Sequence, residues 1–306
     1  KGQMINEIPY LNKGDKLAIV SPAKAIDPGC IDKAKSYWEE LGFQVVVGQF
    51  AKGQHHYFSG TDQERQADFQ EALDDPEIKA IICARGGYGC VRIVDLLNWS
   101  SFVRNPKWIV GFSDVTVFHQ RIQKYGFRSI HATMPLDYET NTDQALDTNY
   151  SALTGGLNVM SYQSGKGSRP GTAQGKLCGG NLSILYSLLG TDEQPDYSDC
   201  ILFIEDLAEQ MYHLDRMLYA FSKAGVFQKI KGLIVGGFTD LQDTKVPFGQ
   251  TFQSILVAHF AYQNIPIAFD FPAGHISDNR ALLFGDKVEL FVGEKSTRLT
   301  YVNNLG

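Results

Sequence analysis

The sequence predicts an α/β protein of two domains. The first is a three-layer domain with a parallel sheet between helices, and the second is smaller and β-rich. Short apolar runs alternate with amphipathic stretches through the first half of the chain, the rhythm of strands joined by crossover helices. Residues 155–175 gather glycine, serine and proline, which is loop chemistry. Beyond them the helical patterns thin out relative to the strands. A length of 306 residues suits two domains or one large one.

In chain order, residues 16–20 (Lys-Leu-Ala-Ile-Val) read as a strand followed by the loop Ser21-Pro22-Ala23. Residues 31–41 have helical spacing, 44–47 form a second strand and 62–73 a second long helix. Residues 79–84 form a third strand, followed by a glycine loop and a helix over 91–97. Residues 107–111 form a fourth strand, 114–125 a helix and 129–134 a fifth strand. Ligands of such sheets bind beyond the carboxyl ends of the strands, where Ser21, Arg85 to Gly89 and Ser113 all fall.

The first domain is expected over 4–155, a linker over 156–175 and the second domain over 176–306. In the second domain, Gly179-Gly180-Asn181-Leu182-Ser183 introduces a helix running to Leu189. Residues 200–204, 233–235 and 267–269 read as strands. Leu214, Met217, Leu218 and Phe221 follow helical spacing and form a core stripe. Residues 282–292 and 297–302 read as a terminal hairpin.

The net charge of −6 and the 43% hydrophobic content describe an ordinary soluble protein and argue against a nucleic-acid partner. No apolar run is long enough for a membrane span. The first residues carry no signal-peptide core, and Met4 reads as the natural start. The five cysteines, Cys30, Cys83, Cys90, Cys178 and Cys200, are odd in number and lack C-x-x-C spacing. That fits a reducing compartment rather than a disulfide framework or a zinc site. Cys83 lies in an apolar strand and reads as a small buried hydrophobe. The adjacent pair His55-His56 reads as a solvated loop.

The segment Trp108-Ile109-Val110-Gly111-Phe112-Ser113-Asp114 places a serine where a buried strand turns into a helix. There its hydroxyl projects at the sheet edge beside the first open amides of the helix. Val115 fills the last position of G-x-S-x-G, so this is not an α/β-hydrolase signature. Ser113 is a nucleophile or a helix cap, and the segment alone leaves both open.

A serine nucleophile needs a base, and the base an orienting group. His275, in a Pro/Gly loop after the strand near Asp270, is the favoured base. His131, in a predicted strand, is its rival, whereas His119 and His259 fall in helical patterns and read as packed or surface residues. Glu205, ending an apolar strand, is the favoured orienter. Strand alternation puts Glu205 and Asp206 on opposite faces, so only one should face a given histidine. The loop Arg85-Gly86-Gly87-Tyr88-Gly89 is a phosphate nest, the donor of an oxyanion amide, or a plain turn. It lacks the nucleotide-binding glycine pattern and the P-loop lysine.

Taken together, Gly14-Asp15-Lys16, Val20-Ser21-Pro22-Ala23, Ala84-Arg85-Gly86-Gly87-Tyr88-Gly89, Gly111-Phe112-Ser113-Asp114, Gly179-Gly180-Asn181-Leu182, Ile204-Glu205-Asp206 and Gly274-His275 resemble the L,D-carboxypeptidases of the murein tetrapeptide carboxypeptidase type. The resemblance runs nearly the whole chain in order. It implies a first domain like class I glutamine amidotransferases and a swivelling second domain. It assigns Ser113 as nucleophile, Glu205 as orienter and His275 as base. Beside that triad, the reading of the loops places oxyanion donors at the Gly87 and Asp114 amides and substrate contacts at Arg85, Gly86 and Asn181, with Arg85 or the glycine-loop amides meeting the substrate's free carboxylate.

The family's activity removes the terminal D-alanine from a small murein tetrapeptide in the cytoplasm during cell-wall recycling. No metal, cofactor, nucleic acid or membrane is expected, and the expected assembly is a homodimer. A second branch, resembling the microcin C immunity protein, cleaves peptidyl-nucleotide toxins and would want an aromatic platform for adenine. Trp38, Trp99 and Trp108 all lie in predicted helices or strands, which favours recycling. A non-catalytic two-domain peptide-binding protein is the remaining alternative.

Overall fold

A computed structural model describes residues 6–302; Met4, the expected start, and residues 303–306 lie outside the described residues. The chain divides into two compact units, one comprising Lys1–Gly156 with Ser277–Leu283 and the other Leu157–Ile276 with Phe284–Gly306.

The first unit is built on strands β1 (Lys16–Val20), β2 (Gln44–Val47), β3 (Ile78–Cys83), β4 (Trp108–Gly111) and β5 (Ser129–His131). β2, β1, β3, β4 and β5 pair in that order, all parallel. Consecutive residues of β3 and β4 are buried. Because neighbouring side chains point to opposite faces, both faces of the sheet are covered. The cover comes from α1 (Pro28–Glu40), α2 (Asp62–Asp74), α3 (Cys90–Ile93), α4 (Ser100–Arg104), α5 (Thr116–Lys124) and α6 (Asp143–Thr154). The start of α2 is set by a capping box, in which Thr61 accepts from the Glu64 amide and Glu64 from the Thr61 amide, supplying open helix donors with partners. Strand order reverses between β1 and β3, the switch point where such sheets bind ligands.

The second unit is built on β6 (Val159–Gln163), β7 (Gly171–Asn181), β8 (Ile201–Leu207), β9 (Gly232–Thr239) and β10 (Ile267–Ala268). β11 (Leu282–Phe284) joins the first sheet beside β5, while β12 (Lys287–Val292) and β13 (Ser296–Tyr301) complete the second. β7 to β10 are parallel neighbours, and β12, β13 and β6 extend the sheet antiparallel from β7. Helices α7 (Leu182–Ser187), α8 (Met211–Lys223) and α9 (Phe252–Ala258) belong to this unit. Leu214, Met217, Leu218 and Phe221 of α8 are fully buried in its core, as their spacing predicts. Among the described residues no helix is long and apolar enough to cross a membrane.

Three expectations need revision. The stretch 156–175 carries β6 and the first residues of β7 rather than being wholly a linker. β6 is an edge strand with exposed alternate residues, so it lacks the apolar run that marks a buried strand. The terminal hairpin is β12 with β13; residues 282–284 pair in the first sheet instead. The fifth strand stops at His131.

Candidate active site

In the first unit, β4 ends at Gly111 and a tight helical turn over Ser113–Val115 leads into α5. Ser113 has φ +64°, a left-handed conformation that costs a residue with a Cβ about 1–2 kcal/mol. Such strain persists where the surroundings impose it, commonly at functional sites. The N-cap of this turn is Phe112, not Ser113, which removes the capping reason for the serine. His119 pins the turn from behind. Its Nε2 lies 2.8 Å from the Gly111 carbonyl and its Nδ1 2.6 Å from Ser129 Oγ. A carbonyl only accepts, so Nε2 carries the hydrogen and Nδ1 accepts from the serine. Burial holds this imidazole's pKa down at about 4. His119 is therefore more than a packed helical residue, a role that its helical spacing does not reveal.

The loop after β3 lies against this turn. A Cβ placed on Gly86 would stand 3.1 Å from Ser113 Cβ and 3.3 Å from its Oγ. The amides of Gly86, Gly87 and Asp114 donate to no protein acceptor among the described residues. The Asp114 carboxylate, buried and raised in pKa by that burial, accepts from the Cys90 amide at 2.9 Å, tying the end of the glycine loop to the serine turn. Arg85 donates from Nη1 to the Ala25 carbonyl at 3.2 Å.

The second unit holds the carboxylate and the imidazole. Glu205 is fully buried on β8. Its Oε2 lies 2.6 Å from His275 Nδ1 and accepts from the His275 amide at 3.2 Å. A carboxylate accepts only, so Nδ1 carries the hydrogen, and in the neutral ring the lone pair sits on Nε2. Gly274 makes this closeness possible. It has φ +107°, and a Cβ there would lie 2.7 Å from Glu205 Cβ.

Asn181, at the end of β7, donates from Nδ2 to both Glu205 Oε1 and Asp206 Oδ1 at 3.2 Å. Its Oδ1 accepts from Ser183 Oγ at 2.7 Å and, as the cap of α7, from the Ile184 amide at 3.2 Å. These bonds tie the Asn181 side chain to both carboxylates and to the first turn of α7.

Strict alternation at Glu205 and Asp206 also fails. The β8–β9 register shifts between Ile204 and Asp206, and this bulge lets both carboxylates reach Asn181. Asp206 accepts from the Ser183 and Leu207 amides at 2.9 Å. Burial, aided by the charge of Glu205, pushes its pKa up to about 6.

The other histidines are placed differently. His131 is fully buried, edge-on to Phe112. His259 packs against Tyr219 and Phe227. His213 makes a second imidazole–carboxylate pair with Glu209 at 2.7 Å, one helical turn apart, but both partners there are partly exposed.

Residues 17–132 match the LD-carboxypeptidase N-terminal domain and residues 174–290 the LD-carboxypeptidase C-terminal domain. The chain belongs to the LD-carboxypeptidase family. The chain is 35% identical over 298 residues to a probable murein peptide carboxypeptidase of Bacillus subtilis, covering 94% of this chain and 92% of the relative. Its fold matches the crystal structure of muramoyltetrapeptide carboxypeptidase from Oxalobacter formigenes with a TM-score of 0.85 at 28% identity, over 94% of this chain and 98% of the other. It also shares its fold with the microcin C7 self immunity protein MccF in complex with aspartyl sulfamoyl adenosine. There the TM-score is 0.84 at 21% identity, over 95% and 97% of the two chains. Membership makes the protein a peptidase of this family, with the two-domain fold that its relatives share.

Proposed function

We propose that the protein is a serine L,D-carboxypeptidase that removes the terminal D-alanine from murein tetrapeptides in the cytoplasm during cell-wall recycling. The observation that carries this reading is the buried Glu205 carboxylate holding His275 Nδ1 at 2.6 Å, the arrangement that a general base requires. The strained Ser113 at a strand-to-helix turn supplies the matching nucleophile.

In this mechanism Ser113 Oγ attacks the carbonyl carbon before the terminal D-residue, and its proton passes to His275 Nε2. The Gly87 and Asp114 amides donate to the oxyanion of the tetrahedral intermediate. The carbon–nitrogen bond breaks, His275 returns the proton to the leaving amine, and D-alanine departs. Water, losing a proton to His275, then attacks the acyl-enzyme. The ester bond to Ser113 breaks, and the proton restores the serine hydroxyl. Glu205 fixes the tautomer and stabilises the imidazolium, while Asn181 fixes Glu205. The assembly we propose is a homodimer, which light scattering of the purified protein checks.

The toxin-immunity reading wants an aromatic platform. The three tryptophans do not offer one, because Trp38, Trp99 and Trp108 are all core residues. Their indole N–H groups donate to Tyr138 Oη, the Val94 carbonyl and the Pro9 carbonyl respectively. A mass-spectrometric assay offering a murein tetrapeptide and an aminoacyl-sulfamoyl-adenylate side by side separates the two. Release of D-alanine from the first supports recycling. Turnover of the second alone contradicts it.

A further inference from the structure

A carboxypeptidase has to recognise a free carboxylate one residue beyond the bond it cuts. Recognition needs a cation and hydrogen-bond donors, and several cationic side chains stand near the glycine loop of the first unit. Arg65 is buried and spent: it donates to the Gly60, Pro22 and Gly89 carbonyls and pairs with Asp62. Arg92 forks onto the same Asp62. Arg85 is half-buried and turned to the Ala25 carbonyl.

Lys24 is different. Its ammonium makes no ion pair or hydrogen bond among the described residues; it stands 5.1 Å from the centre of the Tyr57 ring. The Tyr57 hydroxyl likewise has no hydrogen-bond partner among the described residues, and the residue is 42% exposed.

The backbone fixes both residues at the glycine loop. The Lys24 amide donates to the Gly86 carbonyl, the Ala25 amide to the Tyr57 carbonyl, and Lys24 bridges to Phe58. A Cβ on Gly87 would lie 2.9 Å from both Lys24 Cβ and Tyr57 Oη. The equivalent point on Gly86 lies 3.1 Å from Ser113 Cβ. The serine and the cation–hydroxyl pair are thus registered on adjacent residues, about 3.8 Å apart along the chain. In a peptide substrate the scissile carbonyl and the terminal carboxylate are likewise one residue apart. Lys24 follows β1 and Gly87 follows β3, so the pair flanks the switch point of the sheet, where ligands of such sheets bind.

We propose that the Lys24 ammonium and the Tyr57 hydroxyl form the subsite for the substrate's terminal carboxylate, the Gly86–Gly87 backbone serving as the spacer between that subsite and Ser113. The inference rests on the carboxypeptidase reading. The test compares kcat/KM for a murein tetrapeptide with a free C-terminus and for its C-terminal amide, in the wild type, Lys24→Met, Lys24→Arg and Tyr57→Phe. The wild type should prefer the free acid. Lys24→Met should cut that preference by roughly 10- to 100-fold, mainly through KM, as loss of a charged hydrogen bond does. Tyr57→Phe should cut it severalfold, and Lys24→Arg should restore most of it.

An unchanged preference in Lys24→Met overturns the subsite. So does an equal loss on both substrates, which is what a purely structural role produces. A wild type that leaves the tetrapeptide uncut overturns the carboxypeptidase reading, and the subsite with it. A wild type that cuts the tetrapeptide while Lys24→Met keeps full discrimination overturns the subsite alone.

Discussion

Replacing Glu205 by glutamine keeps the shape of the side chain but exchanges a charged double acceptor for one acceptor and one donor. The surroundings accept neither orientation. Oε2 faces two donors, His275 Nδ1 and the His275 amide, and Oε1 faces the Asn181 Nδ2 donor. With the amide oxygen towards His275, the new NH2 confronts Asn181. Asn181 cannot turn over to help, because its Oδ1 holds Ser183 and the Ile184 amide. With the amide reversed, its NH2 confronts the histidine and drives it to the tautomer with the hydrogen on Nε2, which leaves that nitrogen no lone pair with which to act as a base. Each orientation loses at least one charged hydrogen bond, worth about 1.5–3 kcal/mol, together with the carboxylate's stabilisation of the imidazolium. The tautomer error alone costs on the order of 10⁴ in a serine protease triad. Glu205→Gln should therefore lower kcat for D-alanine release by about 10² to 10⁴, with KM little changed. The assay is steady-state D-alanine release by protein whose melting curve shows it folded. A folded Glu205→Gln enzyme that keeps more than a tenth of wild-type kcat refutes the reasoning.

Two further outcomes follow from the geometry. The buried His119 ring has its pKa held at about 4 against an ordinary 6.5. The unfolded chain therefore binds a proton first as pH falls. The stability supplied by the neutral ring is complete above about pH 6.5 and is lost progressively towards pH 4, up to about 3 kcal/mol. NMR of the ring should find it still neutral at pH 5.5, and titration near 6.5 would contradict the packing described. Gly274→Ala should lower stability by roughly 1–3 kcal/mol and kcat at least tenfold, because the methyl would overlap Glu205 at φ +107°; wild-type melting and turnover together would show that the loop does not need the glycine.

Much of the first unit was legible because a parallel sheet buried on both faces writes itself as short apolar runs. β1, β3 and β4 read directly from residues 16–20, 79–84 and 107–111. The positions of Ser113 and of the glycine loop followed from the carboxyl ends of those strands. What escaped depends on contacts far apart in sequence or on local departures from periodicity. Residues 282–284 have the same apolar pattern whichever sheet they join, and only the pairing partner distinguishes them. β6 lies in polar, glycine-flanked sequence because one edge of its sheet is open. The bulge at Glu205 and Asp206 breaks the alternation rule just where two carboxylates must meet one asparagine. The hydroxyl of Tyr57 and the ammonium of Lys24, more than thirty residues apart in sequence, come together only through the short pairing of residues 24–25 with 57–58.

The most direct test of the central claim is the rate of D-alanine release from a murein tetrapeptide by Ser113→Ala beside the wild type. The alanine variant keeps the same backbone demand at φ +64° and removes only the hydroxyl, so a folded protein is expected. Loss of a triad member costs on the order of 10⁴ to 10⁶ in kcat, and turnover should fall by that much. A folded Ser113→Ala protein that retains more than a few per cent of wild-type turnover would show that Ser113 is not the nucleophile.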